Sequence, residues 1–197
     1  MKTTQQFALT FVVLSLLGSR ASAAITSTDE IFTRITTGSI VTDGGSSAPT
    51  TAVDYDGDGW PDIYVGNHGG GADYTNFLYR NNGDGTFART NVVGVATDLG
   101  TTVSAAWGDY DNNGFPDLVV ANWQIAKNFQ YANNGDGTFT KITQGPIVTE
   151  AGGFIGCVWG DYDRDGWLDF FVAMYAGNHR LYHNNHNGTF TEMAREA

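Results

Sequence analysis

Three short segments of the chain gather carboxylates at a spacing that suits a divalent cation. The first runs Asp54-Tyr55-Asp56-Gly57-Asp58-Gly59-Trp60-Pro61-Asp62. The second is Asp109-Tyr110-Asp111-Asn112-Asn113-Gly114-Phe115-Pro116-Asp117, and the third is Asp161-Tyr162-Asp163-Arg164-Asp165-Gly166-Trp167-Leu168-Asp169. Positions 1, 3, 5 and 9 are Asp54, Asp56, Asp58 and Asp62; then Asp109, Asp111, Asn113 and Asp117; then Asp161, Asp163, Asp165 and Asp169. Calcium takes about 6–8 oxygens, and a loop supplies them from alternating side chains plus a backbone carbonyl. The carbonyl of Trp60, Phe115 or Trp167 at position 7 is the expected backbone ligand. Gly59, Gly114 and Gly166 at position 6 permit the sharp turn that brings position 9 back. Eleven of the 21 acidic residues lie at these positions, and carboxylates packed this closely repel one another without a cation. The pattern predicts one Ca2+ per loop, about three in the chain. Asn113 leaves the second loop with three charges against four in each of the others, so charge alone predicts that it binds most weakly. An EF-hand begins similarly but needs Glu at position 12 between helices. Position 12 here is Val65, Val120 and Val172, inside apolar runs that read as strands.

The elements that must hold these loops repeat with them. The loops start 55 and then 52 residues apart. Each is followed by a turn element: Tyr79-Arg80-Asn81-Asn82-Gly83-Asp84-Gly85-Thr86-Phe87, then Tyr131-Ala132-Asn133-Asn134-Gly135-Asp136-Gly137-Thr138-Phe139, then Tyr182-His183-Asn184-Asn185-His186-Asn187-Gly188-Thr189-Phe190. Each loop is preceded by a Phe-led strand: Phe32-Thr33-Arg34-Ile35, Phe87-Ala88-Arg89-Thr90 or Phe139-Thr140-Lys141-Ile142. The middle unit reads as four strands. Val103 to Trp107 leads into the loop, Asp117 to Ala121 leaves it, a third lies near Asn128 to Ala132, and Thr138 to Ile142 follows the Gly-rich hairpin turn. A period of about 50 residues with four strands per unit is the sequence form of a propeller blade. The repeats of a β-solenoid are usually shorter. The expected fold is all-β: a partial, open β-propeller of about three four-stranded antiparallel blades, with units about 32–87, 87–139 and 139–190 inside a repeat region 24–197.

The pattern D-Y-D-x-D-G-x-x-D, an apolar strand, then L-Y-x-N-N-G-D-G-T-F resembles the FG-GAP/VCBS repeats of integrin-α-like β-propellers. The resemblance covers residues 32–190. It implies calcium in each Asp loop and an extracellular, usually non-enzymatic role in adhesion or ligand binding. Related propellers also occur in fungal lectins and polysaccharide lyases. Such propellers typically close with about seven blades, whereas three units are present. Ala52 stands where the later units have Trp107 and Trp159. Phe190-Thr191-Glu192-Met193 opens the Phe-led strand again shortly before Ala197, which predicts further blades or assembly with other chains.

Composition agrees with many short strands and tight turns: 26 Gly, 4 Pro and 13% aromatic residues. The N-terminus reads as a signal peptide, residues 1–23. Lys2 is followed by an apolar run from Phe7 to Leu17, too short to span a bilayer, and by the A-x-A site Ala21-Ser22-Ala23. Cleavage removes Lys2 and Arg20 but no acid, so the mature chain is more acidic than the formal −11 of the whole sequence. Such a surface excludes nucleic acid as a partner, because phosphate binding needs clustered Lys and Arg. After cleavage no membrane span is expected. The location is secreted and extracellular, or periplasmic in a bacterium. Cys157 is the single cysteine and lies in the apolar run Phe154 to Trp159, so it reads as a buried small hydrophobe.

Other constellations are weaker. Gly83-x-Gly85-x-x-Ala88 matches a dinucleotide fingerprint in letters but lies in a hairpin turn. His179 and His183 form half a zinc spacing without nearby partners, and their counterparts are Asn76 with Arg80 and Asn128 with Ala132, so they read as surface variation. Trp107 and Trp159 read as packing between blades. Antiparallel strand order puts the Asp loops and Gly-rich turns on one face. The loops opened by His68, Trp123 and Tyr175 fall on the other, where aromatics can stack on an extracellular protein or glycan ligand. Asn187-Gly188-Thr189 is a glycosylation sequon in a eukaryotic host. No convergent base or nucleophile stands outside the loops, so the expectation is a non-enzymatic binding, adhesion or scaffolding module. The alternatives are a lectin-like carbohydrate binder and a propeller fragment of a polysaccharide-degrading enzyme. Mass spectrometry of the exported protein is expected to find Ala24 as its first residue, and an intact Met1 start would rule the cleavage out.

Overall fold

The computed structural model describes residues 34–69, 74–123 and 127–193. The expected signal peptide, residues 1–23, lies outside them, as do Phe32 and Thr33. The chain separates into Met1–Ile35 and Thr36–Ala197, and every described strand belongs to the second unit.

Three four-stranded antiparallel sheets follow one another along the chain. The first is built from β1 (Ser47–Val53), β2 (Asp62–Asn67), β4 (Phe77–Asn81) and β5 (Phe87–Thr90), in that spatial order. The second is β7 (Thr102–Gly108), β8 (Asp117–Asn122), β9 (Phe129–Asn133) and β10 (Phe139–Ile142). The third is β11 (Phe154–Gly160), β12 (Asp169–Met174), β13 (Arg180–Asn184) and β14 (Phe190–Glu192). Each is a simple up-and-down meander, as short turns between consecutive strands require. The fold is a partial, open β-propeller of three blades, and the strands expected for the middle unit agree with the observed ones to within a residue or so.

Two features were not expected. Each inner strand carries a register irregularity at the same place, between Ser47 and Thr50, Thr102 and Ser104, and Phe154 and Gly156. A bulge there increases local twist. The connections between blades also hold short elements: α1 (Ser39–Thr42), α2 (Pro146–Thr149) and the two-stranded ribbon of β3 (Tyr74–Thr75) with β6 (Leu99–Gly100). Ile147 and Val148 of α2 are buried.

The core lies between blades. One cluster joins Tyr55, Tyr64 and Leu78 of the first unit to Ala105, Leu118, Val120 and Tyr131 of the second. The other joins Tyr110, Val119 and Ala121 of the second to Phe154, Phe170, Val172 and Tyr182 of the third. β8 is sandwiched between both, so its Leu118-Val119-Val120-Ala121 run is apolar on both faces. The expected role of the tryptophans holds. The Trp107 indole donates to Thr51 Oγ1 (3.0 Å) and meets Tyr64 edge-on, while Trp159 donates to the Ala106 carbonyl (3.1 Å) and stacks on Tyr110. Ala52 is exposed, and among the described residues no sheet stands where a Trp at this position would reach.

The outer face of the third sheet differs from its counterparts. Tyr55 and Tyr110 are 4% and 3% exposed, covered by the next blade, whereas the equivalent Tyr162 is 47% exposed. Tyr64 and Val119 are fully buried, whereas Phe171 at the same place is 38% exposed. Val158 and Ile155 are exposed beside them. Cys157 packs into the second core cluster, and burial pushes its thiol up to about 11, which leaves it protonated and unreactive. No described helix is long and apolar enough to cross a membrane.

Candidate metal centre

Each Asp loop links the first strand of its blade to the second, and the same hydrogen bonds shape all three. The position-1 carboxylate accepts two backbone N–H groups across the loop. Asp54 takes those of Asp58 and Gly59 (3.1 and 2.9 Å), Asp109 those of Asn113 and Gly114 (2.9 and 2.8 Å), and Asp161 those of Asp165 and Gly166 (both 3.1 Å). The position-5 side chain accepts from position 7: Trp60 donates to Asp58, Phe115 to Asn113 and Trp167 to Asp165, at 2.8–2.9 Å. Gly59, Gly114 and Gly166 are left-handed, with φ of 88°, 92° and 89°. Position 4 is left-handed too, held by Gly57, Asn112 and Arg164, a requirement that the sequence pattern did not reveal.

Position 9 does something further. Asp62, Asp117 and Asp169 are essentially inaccessible to solvent. In each, Oδ2 accepts the N–H of the loop tyrosine: Tyr55 (3.2 Å), Tyr110 (3.0 Å) or Tyr162 (3.2 Å). Oδ1 accepts the N–H that ends the third strand: Asn81 (2.7 Å), Asn133 (2.7 Å) or Asn184 (2.9 Å). These aspartates, read from the sequence as ligands, are also the clamps that close each loop onto its sheet.

The structure brings together three of the expected carboxylates in each loop, leaving Asp62 out of the first group and Asp169 out of the third. Carboxylate oxygens of Asp54, Asp56 and Asp58 lie within 4.8 Å of one another, as do those of Asp109, Asp111 and Asp117, and those of Asp161, Asp163 and Asp165. In the first two loops every acidic or amide donor is an oxygen, a set that suits a hard divalent cation. The rings of Trp60 and Phe115 lie against the Gly-rich turn, so close that a Cβ at Gly83 or Gly135 would fall 2.8 or 2.4 Å from them.

The surroundings of the loops are not alike. The Arg80 guanidinium reaches across the first loop, with Nε 2.5 Å from Asp56 and a terminal nitrogen 2.6 Å from Asp58. At the same place the second blade has Ala132, which offers no countercharge. The third has His183, whose Nδ1 is 3.2 Å from Asp163 and 3.3 Å from Asp169. His186 Nε2 is 2.5 Å from Asp165. His179 and His183, set aside as half a zinc spacing, do not pair: His179 Nδ1 accepts the N–H of Met174. Reading His183 as surface variation missed its partner, because His186 stands where the other turns have glycine. On the far face, His68, Trp123 and Tyr175 each donate their backbone N–H to the start of the inner strand. Trp123 and Tyr175 meet edge-to-face at 5.1 Å, and Tyr175 is 72% exposed.

Burial of the position-9 carboxylate shows most in the second loop. Burial, with a smaller contribution from Asp111, pushes the Asp117 carboxyl up to about 7. An unfolded Asp ionises near 3.9. The fold therefore holds this proton more tightly than the unfolded chain does, and its contribution to stability is lost as pH rises from about 4 through about 7. In chelator, the urea midpoint is expected to fall over that interval, and saturating calcium, which favours the ionised carboxylate, is expected to flatten the slope. A metal-free midpoint that rises from pH 5 to 7.5 would contradict this account.

A comparison with family profiles matches the FG-GAP-like repeat three times, at residues 54–120, 109–172 and 161–197. No curated protein matches the chain. Each match begins at the first aspartate of a loop, and the first two run on into the second strand of the next unit, so the repeated object is the loop with the sheet that it is clamped to. Three successive matches together span most of the sequence, and the chain belongs to the FG-GAP-like repeat family.

Proposed function

We propose that this chain is a secreted, calcium-stabilised propeller module that binds an extracellular protein or glycan and has no catalytic role. The observation that carries the reading is the grouping of three carboxylates in each loop, at a site whose backbone is fixed by the same hydrogen bonds in all three blades. Calcium supplies the countercharge that the second loop lacks, and the carbonyls of Trp60, Phe115 and Trp167 complete the oxygen set. Arg80 brings the first loop to the same net charge as the second, so the affinity order predicted from acid count alone no longer separates those two. Export follows from the N-terminal signal pattern. The ligand surface is the face away from the loops, where Trp123 and Tyr175 present adjoining rings to solvent. Asp54, Asp109, Asp161 and the buried Asp62, Asp117 and Asp169 are engaged by backbone N–H groups, which favours binding over cleavage of a glycan.

The outer face of the third sheet is a docking face for another copy of this chain. Its Tyr162 and Phe171 occupy the places that a neighbouring blade covers in the first two sheets. Burying such aromatic surface drives association.

Chelation is expected to lower the melting temperature, and calcium to restore it, since a ligand at 100 times its Kd stabilises the native state by about 2.7 kcal/mol. Identical melting curves with and without chelator would defeat the calcium reading. A glycan array run in calcium beside an assay for sugar-chain cleavage separates a binding module from an enzyme. Light scattering of the mature protein in calcium is expected to show self-association that Phe171→Glu reduces while leaving the melt unchanged. A monomer at high concentration would argue against the docking face.

A further inference from the structure

We infer that the third blade holds a transition-metal site, of a class that binds Zn2+, built from Asp165, His183 and His186. His183 lies on β13 and His186 in the turn after it, and the loop between β11 and β12 supplies Asp165. One donor atom from each lies within 4.8 Å of the other two. Small rotations of these exposed or half-buried side chains set the three donors around one centre at the roughly 2.0–2.2 Å metal bonds of zinc. Two imidazoles and a carboxylate, with a position left for water, are a zinc donor set. Calcium takes oxygen ligands instead.

Three further observations point the same way. The Nδ1 atom of His183 is out of reach of solvent and makes no hydrogen bond, although two carboxylates lie beside it. A nitrogen donor left without a partner among carboxylates suits a cation. His186 is left-handed (φ 61°) at the place where the other two turns have Gly83 and Gly135. A side chain there is strained, and this one stacks flat on Trp167, with centroids 4.9 Å apart and planes 14° apart. The stack and the bond from His186 N–H to Asn184 Oδ1 (3.0 Å) fix the ring over the loop. Asp165 is oriented as well: its Oδ1 accepts the Trp167 N–H, which leaves Oδ2 directed at His186. Such supporting contacts preorganise a metal site. The first two blades have Arg80 with Gly83 and Ala132 with Gly135 at these places, so the selectivity belongs to the third blade alone.

The site does not require that the other loops bind calcium, and the test keeps the two apart. Equilibrium dialysis of the tag-free chain against Zn2+ at pH 7.5, in millimolar Ca2+, is expected to show one tight zinc per chain. Substitution of Co2+ is expected to give a visible ligand-field band. His183→Ala and His186→Gly install residues that the second blade already uses, so both should fold. Each is expected to weaken zinc binding at least tenfold and to remove the cobalt band, while the calcium-dependent melting shift stays. Zinc binding at wild-type strength in both variants, or no zinc retained by the wild type, overturns the site. Loss of the calcium shift with zinc binding intact would count against calcium and leave the zinc site standing.

Discussion

The structure depends on one buried carboxylate per blade. Asp62, Asp117 and Asp169 open the second strand of their sheets, shielded from water, and each uses both oxygens on backbone N–H groups. Burying an ionised carboxylate is costly unless it is paired or well hydrogen-bonded. These two bonds join the loop to the end of the third strand. The asparagine at that strand end extends the linkage. The Asn133 amide donates to the carbonyl of Tyr55 in the preceding blade (2.8 Å), and Asn184 donates to that of Tyr110 (2.8 Å). Loop geometry and blade-to-blade spacing are therefore one connected network, and a change at the aspartate is transmitted to the neighbouring blade.

On that common frame the three loops carry different electrostatics. The first has an arginine laid across it, the second is paired with no basic side chain among the described residues, and the third faces two histidines. The difference arises outside the Asp motif, at the strand position held by Arg80, Ala132 and His183 and at the turn position held by Gly83, Gly135 and His186. Repetition fixes the backbone, and two variable positions on the adjoining strand and turn set which side chains stand beside each loop. The aromatic at position 7 takes part: Trp60 and Phe115 press on a glycine, while Trp167 stacks on His186.

Packing between blades uses strands with two buried faces. β8 shows this most clearly, with Leu118 and Val120 facing the first sheet and Val119 and Ala121 facing the third. The indoles of Trp107 and Trp159 add edge and stacking contacts together with a hydrogen bond each across the junction. The third sheet offers the same kind of face to solvent, which is why Tyr162 and Phe171 are exposed where their counterparts are not.

The sequence by itself determined the class of fold, the number of blades, the strand order and the membership of the Asp loops. These follow from local signals: a recurring period, alternating or continuous apolar runs, and turn residues whose backbone requirements are met within a few positions. It also marked Trp107 and Trp159 as packing residues, because they recur beside the loops in an apolar setting. Only the tertiary structure decided which side chains from other strands reach each loop. Arg80 lies 24 residues from Asp56 in the chain, and His186 lies 21 from Asp165, so their meeting depends on strand register, and no local pattern encodes it. The clamping role of Asp62, Asp117 and Asp169 was hidden for the same reason. Ligand and clamp place the same residue type at the same position, and burial distinguishes them only after the third strand has folded back over the loop.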